Sequence, residues 1–418
     1  MTAADHPVDS APADDITPVD GIDLLDPYLH ATRDLTEVWR WLRRYDPVRW
    51  HPATALGAAK GFWVVTRHAD VLRVIRDSGT FTSLRGNMLG TVLRGHDPGA
   101  GKMLVVSDGR FHSGLRSLLL GGFGARSLAA VTQSITVATR DLVGGLLERG
   151  GGDFVVEVAA QVPLRAICEL LGVPAADRAR VLELTGAAML GEHAEQTGIE
   201  ARMAQSEILL YYTRLAAQRR AVPGDDIISL LVNSSVDGRP LTEEEVLLNC
   251  YNLVIGGDET ARLALAGGLL ALATHQDQWV RLVADPALVE SGTEEILRWT
   301  TPAAHVARTV TGDTELNGRA LAAGDVLTLW TVSANRDEEV FADPDTFDLA
   351  RRPNRHLTFG YGPHFCIGAQ LARAEIRALL AELRTTVRTI ELTGQVARLP
   401  SNFISGLSTL PVALTPSR

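Results

Sequence analysis

Phe359-Gly360-Tyr361-Gly362-Pro363-His364-Phe365-Cys366-Ile367-Gly368 holds the residues that decide the fold, and Ala369-Gln370-Leu371-Ala372-Arg373-Ala374-Glu375 continues it in helical register. A cysteine thus stands where a glycine-rich loop enters a helix. Loop amides and a helix N-terminus favour negative charge, which suits a thiolate, and thiolates ligate soft metals. Gly360, Gly362 and Gly368 let the backbone approach a flat cofactor, while Phe359 and Phe365 keep water from the sulfur. Two plainer readings compete: a lone cysteine as a small core residue, and a glycine-rich loop as a phosphate cradle. A phosphate loop calls for Lys-Ser or Lys-Thr after its last glycine, and Ala369-Gln370 stands there instead.

At each fixed position the stretch matches the signature F-G-x-G-x-H-x-C-x-G of the cytochrome P450 family, and the chain resembles that family in motif order from Asp108 to Leu410. The resemblance implies the cytochrome P450 fold: mainly α with a minor β region, a triangular, helix-rich single domain enclosing haem. It implies haem b as cofactor and Cys366 as the iron ligand, whose electron density assists cleavage of the O–O bond. Phe359, Gly360 and Gly368 would lie against the haem.

Further constellations follow in the family's order. Glu295-Ile296-Leu297-Arg298 supplies a Glu-x-x-Arg pair, a spacing that alone is usually a solvated surface pair of small value. Downstream, Phe341 to Arg351 resembles the family's irregular segment, so Glu295, Arg298 and Arg351 are expected to form a buried structural ion network. The longest expected helix opens at Thr242, where Glu245 completes a capping box, and runs to about Thr274. Gly256 and Gly257 sit near its middle, and each costs about 1 kcal/mol against Ala. Tight packing is one reason for them; the other is room over the iron for dioxygen, with a local distortion of the helix. By the resemblance Gly256 and Gly257 border the haem, and Glu259 and Thr260 are the acid and alcohol that relay protons. Asp258 reads as a bystander, and Ala261 replaces a second alcohol frequent in the family. Asp108-Gly109-Arg110-Phe111-His112-Ser113-Gly114-Leu115-Arg116 resembles a D-P-P-x-H-x-x-x-R element, although Gly109 and Arg110 replace the prolines. Haem propionates need cationic or hydrogen-bonding partners when buried, and His112, Arg116, Arg308 and His356 are the residues that the resemblance offers.

Composition narrows the rest. A net charge of -10 argues against nucleic acid and anionic membranes as partners. The three cysteines, Cys168, Cys250 and Cys366, show neither zinc-site spacing nor disulfide density. Charges at Asp258, Glu259 and Arg262 defeat a membrane-spanning reading of the long apolar helix. Residues 1–21 lack hydrophobic periodicity and a signal-peptide pattern, so a mobile tail, a single catalytic domain over 22–418 and a cytoplasmic location are expected. Strand patterns fall at Phe62 to Val65, Val306 to Val310, Val326 to Thr331 and Leu407 to Leu414, and a helix is expected from Pro286 to about Trp299.

The resemblance implies a monooxygenase that inserts one oxygen atom from dioxygen into a small-molecule substrate. Oxidative coupling, desaturation and peroxide-driven oxidation are alternatives on the same cofactor, and a haem protein that only binds ligands is the alternative outside catalysis. With no flavin or iron–sulfur segment, electrons are expected from an external ferredoxin and its NAD(P)H-dependent reductase, docking near Arg110, Arg373 and Arg377. The protein is expected to be a monomer. Family topology places Met88, Leu89, Met189, Leu190, Val254, Ala303, Val306, Phe403 and Ile404 on the pocket wall, with His305 and Asn402 for a polar group. A hydrophobic secondary-metabolite intermediate is expected as substrate: polyketide, macrolide or peptide, free or tethered to a carrier protein.

Overall fold

Thr242 begins the central helix as its sequence requires. Its hydroxyl accepts from Glu245 N at 3.2 Å and Glu245 Oε2 accepts from Thr242 N at 2.7 Å. Three glutamates in the first turn complement the helix dipole. The computed structural model describes residues 17–54, 60–95, 97–193 and 199–417, with the side chains of 182, 189–193 and 201 left aside. The elements that frame the site are helices α1 (Gly109–Gly122), α2 (Gln161–Leu171), α3 (Glu243–Thr274), α4 (Leu288–Thr300) and α5 (Ala369–Thr386). α3 crosses the core and packs on α2, α4 and α5. It is buried on most sides, which is why its apolar residues do not keep to one stripe.

α4 starts two residues later than Pro286 suggested, because Asp285 closes a turn first. Asp285 Oδ1 accepts from Ala287 N at 2.9 Å, and the Asp285 carbonyl accepts from Leu288 N at 3.2 Å. The helix ends at Thr301, which takes a left-handed conformation (φ 39°) before Pro302.

The main sheet joins β1 (Val48–His51), β2 (Phe62–Val65), β3 (Phe81–Thr82), β4 (His305–Val310) and β5 (Val326–Trp330) in the order β1-β2-β5-β4-β3. Only the β2–β5 pairing is parallel. The expected strands match β2 fully and β4 and β5 to within one residue. The run Leu407 to Leu414 divides into Leu407–Thr409 and Pro411–Pro416, because the first pairs with Ala397–Arg398 and the second with Val387–Leu392 and Gly151–Asp153. The mainly α expectation holds, with the strands gathered into small sheets.

Ordered packing begins before the expected limit at Gly21. Val19 is buried with Leu24, Leu25, Trp39 and Trp330 in one apolar cluster; residues 1–16 of the expected tail lie outside the described residues. Among the described residues no helix is long and apolar enough to cross a membrane.

Candidate active site

Gly360 (φ +64°) and Gly362 (φ +68°) turn the cysteine loop through a left-handed conformation that side chains disfavour. Cys366 N donates to Phe359 O at 2.9 Å and Gly360 N to Leu357 O at 2.8 Å, which pins the loop ahead of α5. The Cys366 side chain opens into an internal cavity. Burial pushes its thiol up, against the opposing pull of the Gly368 N–H, Arg116 and Arg373. A bound metal would hold the sulfur as thiolate, since coordination deprotonates a thiol outright.

α3 forms the facing wall with Asn252, Leu253, Gly256, Gly257, Thr260, Ala261 and Ala264. This stripe repeats every three to four residues, and Val254 lies off it, buried in the main core. The helix is continuous across both glycines, and missing side chains make the room. The two glycines serve different ends. A Cβ on Gly256 would meet nothing within 4 Å, whereas one on Gly257 would press on Ile167 Cγ1 of α2 at 3.0 Å. Thr260 Oγ1 donates to Gly256 O at 3.1 Å. Glu259 is not on this wall: it is buried behind it, paired with Arg262.

Arg116, His112, Arg308 and His364 line one edge of the cavity. The His112 and His364 rings lie 4.3 Å apart. His364 Nε2 bonds Asp108 Oδ1 at 2.8 Å, and Asp108 Oδ2 accepts from Thr82 Oγ1 and Ser83 N at 2.6 and 2.7 Å. Burial pushes Asp108 up, yet the hydrogen bonds from His364, Thr82 and Ser83 outweigh it and hold the carboxyl below its usual range. His112 is lowered to about 4 by burial, then by His364 and Arg116. Arg308 is lowered to about 10 by burial, with Asp108 opposing. Burial disfavours the charged form of each more than Asp108 restores it.

His356 does not belong to this edge, which corrects the sequence expectation. Its Nε2 lies 3.1 Å from Glu294 Oε2, and Arg373 binds the same carboxylate at 2.7 and 2.9 Å. His356 thus ties the strand of chain before the loop to α4. His364 takes the place assigned to it; its position inside the motif, two residues before the cysteine, was the available signal. Arg373 and Arg377 are also committed, to Glu294 and Glu290, which weakens them as a free cationic surface.

The ion network forms as expected. Arg298 donates to Glu295 at 2.7 and 2.8 Å with both side chains fully buried, and Arg351 Nε lies 3.2 Å from Glu295. Asp348 N and Asn354 Nδ2 fill the remaining acceptor sites of Glu295. Arg298 also reaches the carbonyls of Asn335, Pro344 and Thr346, so irregular chain is fastened to α4.

Of the expected pocket walls, Ala303, Val306 and Phe403 line the cavity. Leu89 is buried instead in the cluster with Phe62 and Trp330, and Met88 is not on the wall. In β4 side chains alternate, so Val306 and Arg308 face the cavity while His305 turns to Trp330. His305 Nδ1 bonds Asn402 O at 2.9 Å, and Asn402 Nδ2 donates to Leu25 O, which removes both from substrate contact. Ile404 is buried, bridging to Ala303 through backbone. Met189 and Leu190 lie on the Arg178–His193 helix, their side chains outside the described residues. Asn252 is the polar wall residue that the sequence reading missed; its i, i+4 spacing from Gly256 was the signal.

The donor set fits haem. A sulfur stands in an otherwise largely apolar cavity, and the edge carries Arg116, Arg308 and the buried His112 Nε2, which has no hydrogen-bond partner among the described residues. Two carboxylates would satisfy that edge, and iron would satisfy the sulfur. The family model for cytochrome P450 matches residues 287–388, a span that includes α4, the loop and all of α5. Cytochrome P450 NovI of Streptomyces niveus is 44% identical over 394 residues, 94% of this chain and 96% of that protein. The chain belongs to the cytochrome P450 family. A steroid C26-monooxygenase of Mycolicibacterium smegmatis is 36% identical over 401 residues, 95% of this P450 and 96% of that protein. The crystal structure of P450 OxyD, described as involved in the biosynthesis of vancomycin-type antibiotics, superimposes with a TM-score of 0.86 at 36% identity, covering 95% of this chain and 100% of that one. The protein is a cytochrome P450 monooxygenase, an enzyme of haem-thiolate iron that takes a small-molecule substrate and electrons from a redox partner.

Proposed function

We propose that this P450 inserts one oxygen atom from dioxygen into a largely hydrophobic secondary-metabolite intermediate, a polyketide, macrolide or peptide. The observation that carries the reading is the cavity itself: Cys366 on one wall, the Gly256–Thr260 face of α3 among the others, and apolar Leu253, Val306 and Phe403 around the space. The kinship with P450 OxyD, described as involved in the biosynthesis of vancomycin-type antibiotics, supports the antibiotic-intermediate class.

Haem, when bound, supplies dioxygen binding and activation at its iron. Cys366 would be the iron ligand. Arg116, Arg308, His112 and His364 would hold the propionates, and Asp108 would orient His364 through the hydrogen bond between them. Thr260 faces the cavity with a hydroxyl held by Gly256 O, so it can present a proton by exchanging that bond. Glu259 lies behind the wall and would act through Arg262. The apolar wall orients substrate and excludes water, with Asn252 as a polar contact. Electrons would come from a ferredoxin and its NAD(P)H-dependent reductase.

The test is turnover under isotopically labelled dioxygen with a redox system and a panel of candidate intermediates, chosen by the shift of the ferric Soret band. The proposal expects product carrying one labelled oxygen atom. A desaturated or coupled product without label would overturn it.

A further inference from the structure

Phe403 and Ala303 stand on the cavity wall, and the segments that carry them are joined into one unit by their backbones. Ala304 N donates to Phe403 O at 2.9 Å, Ser405 N donates to Pro302 O at 2.8 Å, and Ala303 bridges to Ile404. The unit has little room toward α3. A Cβ on Gly406 would fall 2.4 Å from Leu263 Cδ2, so the chain after Phe403 already lies close against that helix.

A second hold on this unit comes from residues 17–32, an N-terminal strap far away in sequence. Asn402 Nδ2 donates to Leu25 O of the strap at 2.9 Å, and Asn402 O accepts from His305 Nδ1 of β4 at 2.9 Å. The residue next to Phe403 thus joins the strap to the main sheet. Aromatic rings repeat the connection. His30 of the strap stacks on Trp330 with centroids 5.5 Å apart, Trp330 meets His305 at 4.6 Å, and His305 meets Phe403 at 5.8 Å in a T-shaped contact. The strap is itself held in register. Leu24 N donates to His51 Nε2 at 3.1 Å and Leu24 O accepts from His30 Nε2 at 3.0 Å, with Leu24 and Leu25 buried among Trp39, Phe62 and Trp330.

These contacts are packing and hydrogen bonds, not charge. Burial, then the field of His30, lowers His305 to about 3, with its bond to Asn402 opposing, and burial lowers His30 as well. Both rings are therefore neutral near neutral pH. Interiors packed to native density transmit a displacement instead of absorbing it. Loss of the bond between Asn402 and the strap would thus be felt at Phe403 and Ala303.

We propose that Asn402 is a positioning residue for substrate selection: it ties Leu25 of the strap to His305, and so fixes where Phe403 and Ala303 stand and what bulk the cavity admits. This rests on reading the cavity as the substrate site. Asn402 acts through Phe403 and does not itself touch substrate. The strap, although it lies outside the cavity, thereby takes part in choosing what enters it.

Two iron-ligating probes of unlike bulk, imidazole and its phenyl derivative, read the cavity of the haem-loaded full chain through the shift of the Soret band. Asn402→Ala should leave the affinity for imidazole as in the wild type and change the ratio of the two dissociation constants about fivefold, short of the roughly tenfold or more that one methylene is worth in an apolar pocket. His30→Leu alters the strap without replacing a wall residue, since His30 is not on the cavity wall, and should shift the ratio in the same direction. Haem content and the carbon monoxide spectrum of each variant control for misfolding. A strap that served stability alone would lower the melting temperature of the variants and leave the ratio unchanged. A wild-type ratio in Asn402→Ala, or in His30→Leu where Asn402→Ala does not take up haem, would overturn the proposal. If the protein binds haem yet oxidises nothing offered, the proposed function fails while the probe ratio still decides this one.

Discussion

Glu294 shows how much one side chain can carry outside the cavity. Burial pushes its carboxyl up, but Arg373 and then His356 outweigh that and bring it to about 2, against an ordinary value of 4.5. A depressed acid stabilises the fold fully above its unfolded pKa and loses that contribution as pH falls through its folded pKa. The window here runs from about 4.5 down to about 2. With partial solvent screening the contribution is on the order of 2 kcal/mol. Glu294→Gln should therefore lower stability at neutral pH and flatten the fall in stability across that window, as acid titrations followed by circular dichroism would show. An unchanged acid transition would contradict the assignment. At this scale the motif residues were legible in the sequence, because Cys366, His112 and Arg116 sit at fixed spacings in local elements. His356 was not, since its partner Glu294 is brought to it only by tertiary packing.

At the scale of elements, α3 separates packing from function at adjacent positions. Gly256→Ala fills open space in the cavity, while Gly257→Ala presses on Ile167 at 3.0 Å. Replacing a helical glycine gains about 1 kcal/mol, and overpacking costs about 1–3 kcal/mol. Gly256→Ala should thus raise the melting temperature and weaken ligand-induced Soret shifts, whereas Gly257→Ala should bring no gain in melting temperature. Thermal melts and spectral titrations of both variants check this; equal gains in melting temperature would contradict it. The start of α3 was readable from its Thr242 and Glu245 chemistry, and β2, β4 and β5 from their apolar runs. The start of α4 and the break at Leu410 were not, because Asp285 closes a turn and two different partner strands divide the last run. Pocket walls failed where the facing of an element mattered more than its position, as with His305 beside Val306 and Val254 beside Leu253.

For the whole molecule, the fold brings four distant segments to one cavity: α1 with His112 and Arg116, α3 with Gly256 and Thr260, β4 with Val306 and Arg308, and the loop with His364 and Cys366. Glu295 and its arginines hold the irregular chain that leads into that loop, so the sulfur is positioned from behind by a network buried from solvent. The central claim is that this sulfur binds the haem iron, and the optical spectrum of the reduced protein under carbon monoxide tests it most directly. The wild type should show the red-shifted Soret band diagnostic of a thiolate ligand, and Cys366→His should keep haem but move the band to the position of histidine-ligated iron. An identical red-shifted band in both proteins would contradict the account.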